Sequence, residues 1–131
     1  MATGWAEQRG LRVRAEASSI SVDIGPGTAD APLTMQFTTS SRYLVVFTTN
    51  GRNLKSDELA RAAAVANAWN TEQLVPVLSV WNLRGERPHL AGVCNLPLAC
   101  RLSQPDFAAV VTSWAEQTEK MFTACQGLFG L

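Results

Sequence analysis

The chain is short of charge, short of the side chains that do chemistry, and without a long apolar run. Charged residues make up 17% of its 131 positions, below the roughly 25% of an average soluble domain. Lys plus Arg equals Asp plus Glu at 11 each. With no net charge there is no field to gather phosphates or an anionic membrane from a distance, so neither a nucleic acid nor a membrane is the expected partner. No segment reaches the roughly 18 consecutive apolar residues of a transmembrane helix. The stretch Met1 to Ile20 carries Glu7, Arg9, Arg12, Arg14 and Glu16, which interrupt any signal-peptide core. The expected location is the cytoplasm.

There is one histidine, His89, and it follows Pro88 near the expected tip of a hairpin, where a general base lacks a buried, oriented setting. The serines form no GxSxG elbow, and the glycines form neither GxGxxG nor GxxxxGK[ST], so no acyl-transfer nucleophile and no nucleotide cradle is indicated. Cys94, Cys100 and Cys125 are odd in number and lack the close CxxC spacing of a zinc or redox site; packing accounts for them. Asp57, Glu58 and Asp106 fall in expected first helical turns, where the helix dipole accounts for acids. No catalytic residue, cofactor or metal is therefore expected. Trp5 with Arg9, Arg12 and Arg14 is the nearest thing to a stacking site in a basic patch, and Glu7 and Glu16 interrupt it.

What is present is material for a core. Apolar residues are 47% of the chain, and a chain of this length fits one domain, here residues 1–131. Ala2 to Gln8 suits a short helix stopped at Gly10, too short to stand alone. Strands are expected over Leu11 to Ala15 and Ser19 to Ile24, the second ended by Gly25, Pro26 and Gly27. Leu33, Met35 and Phe37 then alternate with Thr34, Gln36 and Thr38. Arg42 to Thr49 is apolar on both faces, Tyr43, Val45 and Phe47 opposing Leu44 and Val46, which suits a central strand.

Ser56, Asp57 and Glu58 read as a helix start, and Leu59, Ala62, Ala63, Ala66 and Trp69 as its apolar stripe, with Asn70 closing it in the left-handed conformation. Leu74 to Leu83 and Leu90 to Leu98 form a second expected hairpin across Arg84 to Pro88. Pro76 and Pro97 belong at a strand start, a bulge or an edge. Ser103 caps a long last helix carrying Phe107, Val110, Val111, Trp114, Met121, Phe122 and Cys125, expected to end at Gly127. The order describes an α+β fold, a mainly antiparallel sheet with helices packed on one face.

In the second hairpin, Val75, Val77 and Trp81 stand at even separations along the chain, opposite Leu74, Leu78 and Val80. A strand apolar on both faces buries only one under its own helices, so these three residues are the candidate partner and dimer surface, with a homodimer the simplest cover.

The run Asn67, Ala68, Trp69, Asn70 at a helix end, then Pro76 in an apolar strand, a polar turn, a second strand and a helix introduced by Ser103 and Phe107, resembles the YbjN-like family of candidate bacterial sensory transduction regulators. The likeness runs from about Ser19 to Cys125. It implies a fold similar to type III secretion chaperones, which are commonly dimers that hold a partner segment, and it brings no catalytic residues. The expected function is thus a non-enzymatic bacterial protein-binding or regulatory module, chaperone-like, holding an apolar segment of an unidentified protein. The alternative is a small-molecule-responsive sensory domain with a pocket between sheet and helices.

Overall fold

Period-two patterning becomes one sheet. The structure, a computed structural model, describes residues 1–26, 32–82 and 87–131; Gly27, the expected strand end at Leu83 and residues 84–86 of the expected turn lie outside the described residues. The strands are β1 (Arg12–Ala15), β2 (Ser19–Pro26), β3 (Pro32–Ser40), β4 (Tyr43–Thr49), β5 (Val77–Trp81) and β6 (His89–Pro97). They pair antiparallel in the order β1-β2-β3-β4-β6-β5. β1 to β4 form a meander; the chain then crosses to the far edge through a helix, and β6 returns between β4 and β5. The apolar strand β4 is central, as its two apolar faces require.

Register sorts the side chains. Val22 stands opposite Met35, Phe37 opposite Val46, and Val46 opposite Cys94, so these buried residues line one face. The helices α1 (Ala2–Gln8), α2 (Leu59–Glu72) and α3 (Gln104–Phe129) contribute to the two clusters on that face. The first cluster joins α1 and the first half of α3 to β2, β3, β4 and β6. The second joins α2 and the second half of α3 to β5 and β6. Gly92 of β6 lets them close: a Cβ there would lie 3.0 Å from the Met121 side chain and 3.3 Å from that of Pro76.

The short first helix has what it needs to lean on. Trp5 is only 1% exposed, its ring 6.2 Å from that of Phe37, and its indole Nε1 donates to Thr112 Oγ1 at 3.1 Å. Arg9 sits over its face. Arg14 is paired with Asp23 at 2.7 Å. Trp5 and the arginines therefore form a packed helix and an ion-paired strand, with no ring free to stack on a base.

Several boundaries differ from expectation. Helix α2 runs past Asn70 to Glu72 and leaves through an extended Gln73 (φ −122°). Asn70 is thus helical, because its side chain has a task beside β5, described below. The turn Ser56–Glu58 that precedes α2 has Lys55, not Ser56, at its cap position, and Glu58 Oε1 reaches back to accept the Lys55 amide at 2.9 Å. On α2 the buried stripe includes Val65, while Ala63 is exposed. Helix α3 continues through Gly127 and is closed by Gly130 at φ 69°, with Leu131 folded back into the core. Leu128 and Phe129 remain exposed.

Candidate binding surface

The sheet face away from the helices is polar at one end and apolar at the other. Across β1, β2 and β3 it carries Arg12, Arg14, Ser19, Ser21, Asp23, Thr34, Gln36 and Thr38, by register. These groups bind one another. Asp23 accepts from Arg14 at 2.7 and 2.9 Å and from Thr34 at 2.8 Å, and Gln36 donates to Ser19 at 3.1 Å. The Arg14 guanidinium beside Asp23 holds that carboxyl below the usual carboxylate range.

Beyond β3 the same face turns largely apolar, with Thr49, Asn95, Ser79 and His89 as its polar positions. Tyr43, Val45 and Phe47 of β4, Ala91 and Val93 of β6, and Val77 and Trp81 of β5 share it, Phe47 standing opposite Val93 and Val93 opposite Val77. The Phe47 and Trp81 rings meet edge to face at 4.7 Å and 77°, a favourable aromatic arrangement. Val77 is 48% exposed and Trp81 38%. Val75 is 41% exposed but precedes the strand, so period two does not carry through to it. Of the three residues singled out in the sequence, two therefore lie together on the uncovered face and the third beside the strand entrance. Tyr43, Val45, Phe47 and Val93 complete the patch; they were visible as apolar positions, while the strand order that assembles them was not.

β5 is an edge strand, yet part of its edge is closed. The Asn70 amide donates to Leu78 O at 2.8 Å and accepts from Leu78 N at 2.8 Å, as a neighbouring strand would. Trp69 Nε1 donates to Pro76 O at 2.8 Å alongside. The end of α2 thus occupies outward backbone groups that would otherwise recruit another strand.

A second feature lies between sheet and helices. At the end of the sheet near Pro97 a cleft of about 500 Å³ is walled by Leu44, Leu96, Leu102 and Phe107, with Cys100 and Arg101 among its lining residues. Cys100 is an exposed thiol, so packing does not account for it as expected. Cys94 and Cys125 are buried, which pushes their thiols up to about 12 and about 11 and keeps them protonated. His89 belongs to β6 rather than to a turn, opposite Trp81, with Nδ1 3.2 Å from Arg87 O. No cluster of three or more metal-ligating side chains occurs among the described residues.

An antiparallel six-stranded sheet in this order, with three helices on one face, has a solved counterpart. The fold is that of YbjN. The crystal structure of YbjN from E. coli, a candidate transcription regulator, superposes with a TM-score of 0.77, covering 96% of this chain and 89% of that one, at 13% sequence identity. The expected α+β, YbjN-like architecture is therefore observed, with helices on one sheet face. At that identity the likeness to YbjN is one of fold alone. No family model matches the chain, and no curated protein matches it by sequence. No helix among the described residues is long and apolar enough to cross a membrane.

Proposed function

We propose that the chain is a non-enzymatic, cytoplasmic regulatory module of the YbjN type that pairs with a second copy of itself and, chaperone-like, holds an apolar segment of another bacterial protein. The observation that carries this reading is the apolar half of the uncovered sheet face, where Trp81 and Val77 stand exposed beside Phe47, Val45 and Val93. An aromatic pair, Trp81 with Phe47, flanked along the uncovered face by valines is the kind of anchor that supplies interface energy. The shared fold with YbjN supports a regulatory role.

The test is the state of association. The wild-type chain is expected to be a dimer by light scattering at high micromolar concentration. Trp81→Glu is expected to give a folded monomer by circular dichroism, with association weakened by at least about 2 kcal/mol. A monomeric wild type sinks the dimer, and an unfolded variant makes Trp81 a core residue instead.

A second reading is favoured by the cleft at Leu44, Leu96 and Phe107, whose volume suits a small molecule. In it the domain senses a metabolite held between sheet and helices.

A further inference from the structure

We infer that this cleft is a site for a single amphipathic carboxylate of the fatty-acid class, its chain lying against Leu44, Leu96, Leu102 and Phe107 and its head group meeting Arg101. The inference rests on the sensory reading and names the ligand that reading lacks. Its about 500 Å³ falls within the roughly 300–1,000 Å³ of small-molecule sites. Leu44, Leu96 and Leu102 are only partly buried on the helix-covered side of the sheet, although the first cluster packs against them. Apolar walls that the fold itself leaves partly wet are where an alkyl chain gains most from water exclusion.

The mouth supplies the head group's partner. Arg101 lines the cleft, is exposed, and takes part in none of the ion pairs found among the described residues. A neighbouring depression of about 530 Å³ shares Pro97 and Leu98 with the cleft and brings Arg42 to the other side of that ridge. Neither depression has a carboxylate among its described lining residues. A guanidinium group at the mouth of an apolar floor, with no acid in the described lining to pair it and a second arginine in the adjoining depression, selects an anion that carries a hydrocarbon tail. The cleft is half-open, but at about 500 Å³ and with buried Ala2 and Phe107 among its lining residues it has room for one molecule rather than a patch of bilayer.

The experiment is titration calorimetry of the full chain with dodecanoate and with dodecanol, both below their aggregation limits. It is paired with the alkylation rate of Cys100 by iodoacetamide, for which the buried Cys94 and Cys125 are poor competitors. Dodecanoate is expected to bind, to slow alkylation of Cys100, and to bind about tenfold tighter than dodecanol. Arg101→Gln should remove that preference and leave dodecanol binding as it was. Leu98→Glu, at an exposed position of the cleft lining, should weaken dodecanoate more than dodecanol, and an equal effect on both speaks against the carboxylate. Equal binding of acid and alcohol, or an unchanged preference in Arg101→Gln, overturns the carboxylate while the sensory pocket stands. Binding of neither overturns both. Flotation with phosphatidylglycerol vesicles in the absence of dodecanoate binding likewise overturns the proposal and points to a lipid surface.

Discussion

Across β1, β2 and β3 the uncovered face satisfies its own polar groups, Asp23 with Arg14 and Thr34, and Gln36 with Ser19. Across β4, β6 and β5 the same face carries Thr49, Ser79, Asn95 and His89 by register, but between them it presents valines and aromatics to water. Both halves belong to one sheet, with one twist and one helical layer behind it. The difference is therefore not architectural but chemical. A polar face that closes on itself has little left for a partner, while apolar area is relieved only by being covered. The division runs between Gln36 of β3 and Phe47 of β4, which stand directly opposite each other.

The covered face sets the scale for breaking that contrast. Trp114 is buried among Phe107 and Val111, and Trp114→Ala is expected to cost about 3–5 kcal/mol in urea melts. Trp81, by contrast, should cost mainly association when changed. At the apolar edge, Asn70→Ala leaves the Leu78 amide and carbonyl without their partner, and is expected to lower stability by about 1–2 kcal/mol. Asn70→Gly should be no milder, since the residue is helical and is needed for its side chain. A melting curve equal to wild type in either variant would show that water replaces the amide at no cost.

In the polar half the effect is smaller and depends on pH. Asp23 has its pKa lowered in the fold, so its pairing adds stability above the unfolded value of about 4 and loses it as pH falls through the lower folded value. Asp23→Asn is expected to cost at most about 1 kcal/mol at neutral pH once solvent screening is allowed for. It should flatten part of the acid limb of a stability–pH curve and leave association unchanged. The limb that remains belongs in part to Glu58, lowered by the Lys55 amide and then by Arg52. The smallest expected change moves the boundary itself. Gln36→Val extends the apolar half by one position opposite Phe47, and should tighten association by about 0.5 kcal/mol or less, readable as a shift in the sedimentation isotherm.

Much of this was legible beforehand, for a reason particular to strands. Leu33, Met35 and Phe37 alternate with Thr34, Gln36 and Thr38, and each set lands on its own face because register fixes alternation once one face is buried. Pro76 and Pro97 fall just before β5 and at the end of β6, where a missing N–H is tolerated. Other features depend on partners remote in the chain. Trp5 is core because Thr112 and Phe37 come to it. The cleft needs Leu44, Leu96 and Phe107 at one sheet end, and no local pattern announces that. Asn70 was misread because left-handed asparagine and strand-bridging asparagine look alike in sequence. What separates them is an edge carbonyl and amide eight residues on.

That asparagine bears on what kind of assembly the molecule builds. Strand-edge pairing is propagating: a chain that adds a strand at one edge leaves another edge open, and growth continues into fibres. Contact through a face related by a two-fold axis is self-limiting, because each copy covers the other's patch. By holding the Leu78 backbone from within its own chain, Asn70 disfavours the propagating route while leaving the Trp81 face free for the terminating one. If the proposed pairing holds, a single carboxamide favours finite particles over filaments.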